Sequence, residues 1–145
     1  MKSILLVDDS RLMRTANERA LARAGYSVVT ARDGEEALHI ARARIPDLIL
    51  LDMLLPKLGG VEVLHALRKN PATASIPVIV LSSLPQKNEA KLIKEGAAAY
   101  FEKSRIELDQ HAESLLHIVK RTLDGVAAGE VEANSSGMRS GSGSQ

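Results

Sequence analysis

Short apolar runs recur along the chain at fairly regular intervals. The clearest are ILLV at 4–7, LILL at 48–51 and VIVL at 78–81, and weaker runs are SVVTA at 27–31 and AAAYF at 97–101. Unbroken runs of branched aliphatic residues are typical of strands that are covered on both faces. The pattern therefore predicts a parallel sheet with helices on each side.

Amphipathic segments separate the apolar runs. Their apolar residues recur at helical spacing, which predicts helices over 10–24, 34–44, 60–69, 87–95 and 107–123. Gly25 and Gly96 follow the first and fourth of these segments, and Pro46 follows the second. Because glycine caps helix ends and proline cannot continue a helix, these residues support the predicted boundaries.

Strands and helices thus alternate five times, which predicts a doubly wound α/β domain with right-handed crossovers. From Asp124 onward the composition changes to Gly, Ser, Ala and Asn, and the chain ends in SSGMRSGSGSQ. Such a composition is typical of flexible linkers. The sequence therefore predicts a folded domain at 1–123 and a flexible tail or linker at 124–145.

Composition narrows the class of protein. The chain has 145 residues, of which 45% are hydrophobic, enough for one domain with its own core. Aromatic residues make up only 2%, and 19 Lys and Arg balance 18 Asp and Glu, so nothing favours direct binding of nucleic acid. Cysteine is absent, which excludes disulfides, thiolate zinc sites and a Cys nucleophile.

The distribution of apolar and charged residues also indicates where in the cell the protein is expected. The apolar run at 4–7 is too short for a secretory signal and acids follow it at once, and no run approaches the length needed to span a bilayer. We expect a cytoplasmic protein without membrane insertion. The Arg and Lys residues scattered through 11–23 and 42–69 are interpreted as solvated faces of helices.

Polar residues follow the apolar runs where the predicted strands end. Asp8 and Asp9 follow the first run, Asp52 the third and Ser82 the fourth, and Lys103 lies just beyond the fifth. The carboxyl ends of parallel strands meet at one edge of a sheet, where the ligands of open α/β sheets bind. We therefore expect three carboxylates, a hydroxyl and an ammonium group to gather there.

This set of groups restricts the chemistry. Three close carboxylates cannot all remain ionised without a cation. Ligands that are all oxygen atoms suit Mg²⁺ or Mn²⁺, and the absence of Cys and of a nearby His disfavours zinc. A divalent ion with Lys103 beside it would offset the charge of a transferred phosphoryl group, and an Asp can be the nucleophile. The predicted chemistry is phosphoryl transfer.

At these positions the sequence resembles the receiver domain of bacterial two-component response regulators, in particular the chemotaxis-regulator-like receivers. The matching stretches are LLVDDS at 5–10, DLILLDMLLPKLGG at 47–60, PVIVLSS at 77–83 and GAAAYFEKS at 96–104. The resemblance extends over the predicted folded domain. It implies a flavodoxin-like (βα)5 sandwich with strand order 2-1-3-4-5. It also implies a phosphorelay protein that is not an enzyme, although it assists its own phosphorylation and dephosphorylation.

The resemblance implies a role for each acidic residue. Asp52 would accept a phosphoryl group, as an aspartyl phosphate, from a phosphohistidine on a sensor histidine kinase or histidine phosphotransfer protein. Asp9, Asp52 and the main-chain carbonyl of Leu54 would bind Mg²⁺ (or Mn²⁺) directly. Asp8 would hold the ion through water.

The resemblance also implies how the signal is passed on. Ser82 would be the switch hydroxyl that moves to bond the phosphoryl oxygens, Lys103 would pair with the phosphoryl group, and Tyr100 would turn inward when Ser82 moves. The face formed by the fourth helix, the fifth strand and the fifth helix would bind a downstream protein target or an output domain. Receivers of this type can be monomers or phosphorylation-dependent homodimers.

Two features depart from the family pattern. Ser104 follows Lys103 where the family usually has Pro, so we expect a trans peptide bond here, or a strained cis bond if the loop demands it. Leu54 and Leu84 occupy positions where many relatives carry polar groups that orient the hydrolytic water. Two leucine side chains should exclude that water, which suggests a long-lived phosphorylated state.

Other functions use similar residues. An Mg²⁺-dependent aspartate-nucleophile phosphatase of the dehalogenase-like class needs a second Asp two residues after the first, where this chain has Leu54. A receiver that only docks, without being phosphorylated, would not need the acids, the hydroxyl and the Lys that are all present. A flavodoxin-like flavin binder needs a first loop rich in Ser, Thr and Gly, whereas this loop is DDSR.

Overall fold

The computed structural model describes residues 1–53, 55, 58–82, 89–102 and 108–128. The strands are β1 (Ser3–Val7), β2 (Ser27–Ala31), β3 (Leu48–Asp52), β4 (Val78–Ser82) and β5 (Ala99–Glu102). The helices are α1 (Arg11–Arg23), α2 (Gly34–Arg44), α3 (Gly60–Lys69), α4 (Glu89–Lys94) and α5 (Leu108–Ala128). Within these ranges strands and helices alternate as the pattern predicts.

All five strands pair in parallel within one sheet, in the order β2-β1-β3-β4-β5. This order confirms the prediction of a flavodoxin-like doubly wound fold. The helices that follow the central strands β1 and β3 lie on opposite faces of the sheet, because residues of α1 and α3 belong to different core clusters. In doubly wound folds, ligands bind at the carboxyl ends of two neighbouring strands whose helices diverge in this way.

The core has two layers because successive side chains of a strand point to opposite faces. One layer joins the sheet to α2, α3 and α4, and its strand residues include Leu5, Val7, Ile49, Leu51, Val78 and Val80. The other joins the sheet to α1 and α5, and its strand residues include Ile4, Leu6, Leu48, Leu50, Ile79 and Leu81. Burial on both faces explains why these strands are apolar without alternation.

Capping residues begin two helices close to the strand ends. Ser10 caps α1, and its Oγ accepts the N–H of Met13 at 3.3 Å. Asp33 caps α2, and its Oδ1 accepts the N–H of Glu36 at 2.8 Å. These contacts satisfy N–H groups that the first turn of a helix leaves unpaired. The Ser10 cap makes α1 begin at Arg11, shortly after Asp8 and Asp9.

Helix α5 continues to Ala128, whereas the sequence predicts its end at 123. Leu123 is still buried, but Asp124 and Gly125 are exposed, so the change in composition marks the end of packing rather than the end of the helix. Extending an existing helix costs little per residue. The division between domain and tail stays a prediction. Neither α5 nor any other helix in the described ranges is long and apolar enough to cross a membrane.

Candidate functional site

Three carboxylates meet at the carboxyl ends of β1 and β3. Val7 of β1 pairs with Leu51 of β3, so Asp8 and Asp52 are the next residues along two neighbouring strands, and Asp9 follows. One carboxylate oxygen from each of the three acids lies within 4.8 Å of the other two. The predicted gathering of these acids is therefore confirmed, and their individual roles stay predictions.

Two of the three acids are buried. Asp8 is fully buried and Asp52 is 5% exposed, whereas Asp9 is exposed. Asp8 Oδ1 accepts the N–H of Ser10 at 2.9 Å, which orients this carboxylate. Buried like charges at such distances are unfavourable unless a cation offsets them. The oxygen atoms and their combined charge fit a hard divalent cation such as Mg²⁺.

Arg14 is a residue near this site that the sequence interpretation missed. Its Nη1 donates to the main-chain carbonyl of Asp8 at 2.8 Å, and the residue is half-buried. The interpretation of the basic residues in 11–23 as solvated is therefore wrong for Arg14. A usable signal was its position one helical turn after the N-cap Ser10, since helical side chains point back towards the N-terminus.

The segment after Asp52 folds back against the start of α3. The N–H of Met53 donates to the carbonyl of Leu81 at 3.0 Å, and the Met53 carbonyl accepts the N–H of Gly60 at 3.2 Å. A Cβ atom on Gly60 would lie 2.8 Å from both the Asp52 carbonyl oxygen and Met53 Cα. Such a contact is too close for any side chain, so glycine allows α3 to approach the backbone of Asp52.

Ser82 and Tyr100 lie on the two strands beyond β3. Ser82 ends β4 and is 1% exposed, and the preceding Leu81 pairs with Asp52. Tyr100 pairs with Val80 and is buried in the core layer formed with α2, α3 and α4. Since Val80 and Ser82 are two residues apart, Ser82 and Tyr100 lie on the same face of the sheet.

The predictions for Leu54, Leu84, Lys103 and Ser104 fall outside the described residues. β5 ends at Glu102, the residue before Lys103, and Glu102 pairs with Ser82 at the carboxyl end of the sheet. The roles of Leu54, Leu84 and Lys103 and the peptide geometry at Ser104 remain predictions.

Comparison with known families identifies the domain. Residues 4–116 match the model of the response regulator receiver domain. The chain belongs to this family. Receiver domains are signalling switches of two-component systems, so the resemblance of the strand-end motifs to this family is confirmed.

Individual relatives agree with this assignment. The receiver is 42% identical over 114 residues to a gliding motility regulatory protein of Myxococcus xanthus, covering 77% of this chain and 14% of that protein. It is 42% identical over 103 residues to the alkaline phosphatase synthesis transcriptional regulatory protein PhoP of Bacillus subtilis. That match covers 70% of this chain and 42% of PhoP. This chain therefore spans less than half the length of either relative.

A solved structure shows the same fold. The chemotaxis response regulator CheY4 of Vibrio cholerae superimposes with a TM-score of 0.76 at 30% identity. The superposition covers 84% of this chain and 98% of that one. The similarity to a chemotaxis regulator agrees with the type of receiver that the sequence predicts.

Proposed function

We propose that this receiver is a phosphoacceptor switch in which Asp52 takes a phosphoryl group from the phosphohistidine of a sensor histidine kinase or histidine phosphotransfer protein. The observation that carries the proposal is the trio of acids at neighbouring strand ends, with carboxylate oxygens within 4.8 Å of one another. Membership of the receiver family supports it. We place the reaction in the cytoplasm, where kinases obtain ATP.

In the proposed transfer, a carboxylate oxygen of Asp52 attacks the phosphorus atom. An O–P bond forms as the P–N bond to the donor histidine breaks, and its electron pair returns to the imidazole nitrogen. Asp52 is 5% exposed, so the donor reaches it only from the carboxyl edge of the sheet. Lys103 is proposed to pair with the transferred phosphoryl oxygens.

We propose that Mg²⁺ (or Mn²⁺) is held directly by Asp9, Asp52 and the carbonyl of Leu54, and through water by Asp8. Bound there, the ion would offset negative charge on the phosphoryl oxygens. Asp8 is fully buried with one carboxylate oxygen engaged by the Ser10 N–H, which fits an indirect role. Asp9 is exposed, which fits a ligand that an ion reaches from solvent.

The proposed output is a shift between two arrangements of Ser82 and Tyr100. Phosphorylation adds roughly −1.5 to −2 charges next to Ser82. The equilibrium between the two arrangements shifts only if that charge interacts more favourably with one of them than with the other. Tyr100 is buried and lies on the same face of the sheet as Ser82, which supports coupling between the two side chains. The face of α4, β5 and α5 is the proposed surface for a downstream target, an output domain or a second copy.

The test is to incubate the protein with Mg²⁺ and acetyl phosphate and to record its intact mass. We expect one added phosphoryl group, absent without Mg²⁺ and absent from Asp52→Asn. Steady hydrolysis of acetyl phosphate without an adduct would instead indicate the phosphatase alternative. A third outcome is that acetyl phosphate gives neither an adduct nor hydrolysis and that a phosphorylated histidine phosphotransfer protein also gives no adduct. This outcome would indicate a receiver that only docks.

A further inference from the structure

A half-buried arginine, Arg68, connects the end of α3 to the segments that precede β4 and β5. These segments lie at the edge of the sheet opposite the carboxylates. Arg68, near the end of α3, donates from Nη1 to the carbonyl oxygens of Ala74 at 3.0 Å and Ile76 at 2.8 Å. Its Nε and Nη2 donate to the carbonyl oxygen of Gly96 at 3.1 and 2.8 Å. The interpretation of the basic residues in 42–69 as solvated is therefore wrong for Arg68.

The surroundings of Arg68 match a planar guanidinium. Its partners in the described part of the chain are main-chain carbonyls, and burial lowers the pKa of Arg68 from its ordinary value. Gly96 has φ +116°, and a Cβ atom there would lie 3.1 Å from Arg68 Nε. Because guanidinium presents its N–H groups in a rigid fork, a lysine cannot reproduce these contacts.

The carbonyls that Arg68 binds lie just before two neighbouring strands. Ile76 precedes β4, which ends in Ser82, and Gly96 precedes β5, which carries Tyr100. Arg68 thus fixes the amino ends of both strands relative to α3. The two residues that the proposed function assigns to switching lie further along these same strands.

A second contact joins the same two regions. His65 Nε2 of α3 lies 2.9 Å from Glu95 Oε2, next to Gly96. Both side chains are partly exposed, so this pair contributes little compared with the Arg68 contacts. Of the side-chain hydrogen bonds between α3 and the segment before β5 in the described residues, those of Arg68 therefore contribute most, in addition to the β4–β5 ladder and the core packing of Ala97 and Tyr100.

We propose that Arg68 is a positioning residue for the switch. A main-chain hydrogen bond from Ala98 N–H to the Val78 carbonyl joins the amino ends of β4 and β5, and Arg68 ties both ends to α3. With the amino ends fixed in this way, a displacement of Ser82 is transmitted to Tyr100 through close-packed side chains and is not dissipated by movement of the two strands relative to α3. This inference rests on the proposed function. It predicts that loss of Arg68 leaves phosphorylation of Asp52 intact and uncouples Tyr100 from it.

The sequence provides a specific reporter for this coupling. The chain has two Tyr and no Trp, so Tyr26→Phe leaves Tyr100 as its sole tyrosine fluorophore. In this background we would compare Arg68→Met and Arg68→Lys with the parent. Leu38→Ala is the matched control, because Leu38 lies in the same core layer but on α2, away from the carbonyls that Arg68 binds. Each protein is treated with acetyl phosphate and Mg²⁺, intact mass reports the adduct, and acrylamide quenching reports Tyr100.

We expect all four proteins to form the adduct. Quenching of Tyr100 should change on phosphorylation in the parent and in Leu38→Ala, should not change in Arg68→Met, and should change less in Arg68→Lys than in the parent. A full Tyr100 response in Arg68→Met, or equal loss in Leu38→Ala, would overturn the inference. If Arg68→Met does not fold, Arg68→Lys is the test, and a Tyr100 response as large as that of the parent would overturn the inference.

The two proposals fail in different ways. A parent protein without an adduct would refute the proposed function and this inference with it. A parent that forms the adduct without any change at Tyr100 would leave the phosphoacceptor intact and overturn the role of Arg68.

Discussion

Asn17 is a buried polar residue on α1, with only 1% of its surface exposed. Within the described residues its Nδ2 has no hydrogen-bond partner. Leu21, one helical turn later, belongs to the apolar layer between the sheet, α1 and α5. An unpaired buried amide costs about 1–3 kcal/mol.

We therefore predict that Asn17→Leu, which has similar size, raises the free energy of unfolding by about 1–3 kcal/mol. Urea denaturation followed by circular dichroism measures this change. Asn17→Asp is the opposite control and should destabilise the protein, because it buries a charge. A less stable leucine variant would indicate that a bound water satisfies the amide.

Gly60 controls the backbone next to the proposed acceptor. Gly60→Ala would place its Cβ 2.8 Å from the Asp52 carbonyl oxygen, so the loop after β3 must shift. We expect lower stability and slower phosphorylation of Asp52 by acetyl phosphate. Gly125→Ala is the control, because nothing lies within 4 Å of its added Cβ and α5 should gain roughly 1 kcal/mol from the better helix former. Equal rates in both variants would contradict the prediction.

Leu54 and Leu84 bear on the lifetime of the phosphorylated state. If their side chains exclude water, the double variant Leu54→Asn, Leu84→Glu should lose its phosphoryl group faster, by roughly tenfold or about 1.4 kcal/mol of barrier. Decay of the intact-mass adduct after removal of acetyl phosphate measures the rate. Methionine at both positions should keep the lifetime long. A lifetime in the wild type no longer than in the double variant would refute the idea.

At the scale of elements, α2 ends in an unusual way. Pro46 correctly predicts where this helix stops, but the chain turns through Ile45, which has the left-handed φ of 44° and is 45% exposed. A β-branched residue is strained in this conformation. Its exposure means that little packing is lost when it is replaced.

Ile45→Asn should therefore raise the free energy of unfolding by about 1 kcal/mol, because asparagine tolerates the left-handed region. Ile45→Val keeps the β-branch and should give no gain, which separates strain from side-chain size. Midpoints of urea unfolding for the three proteins decide the matter. An asparagine variant with the stability of the wild type would mean that the strain is negligible.

At the scale of the whole molecule, stability should depend on the metal. Mg²⁺ at a hundredfold excess over its Kd should add about 2.7 kcal/mol to the free energy of unfolding if only the folded chain binds it. Thermal unfolding in EDTA and in Mg²⁺ measures the difference. The three carboxylates come from the ends of two strands, β1 and β3, that folding brings side by side, so the unfolded chain lacks the site.

A variant of the acidic trio sharpens this test. Asp9→Asn removes one of three close charges, so it should be more stable than the wild type in EDTA and gain less from Mg²⁺. Glu113→Gln, an exposed acid on α5, should leave the gain from Mg²⁺ unchanged. An equal gain in Asp9→Asn and wild type would argue against Asp9 as a ligand.

The amino-acid sequence alone determined the alternation of strands and helices, the fold class and the meeting of Asp8, Asp9 and Asp52. The alternation and the shared strand edge follow from local hydrophobic pattern and from the rule that parallel strands end at one edge. The strand order that places β1 beside β3 was implied by the family resemblance, and the structure confirms it. The end of α5 was predicted too early, because composition reports packing rather than backbone conformation.

Only the tertiary structure decided which basic side chains are solvated. No sequence feature distinguishes Arg68 from the exposed arginines, because its partners are main-chain carbonyls, which carry no sequence signal. Arg14 differs only in its position one helical turn after Ser10, and the structure decides that it binds the Asp8 carbonyl. The close approach of Gly60 to Asp52 likewise depends on how two segments pack. Such contacts join residues that are brought together only by folding, so they set how the strand-end acids and the switch strands are held.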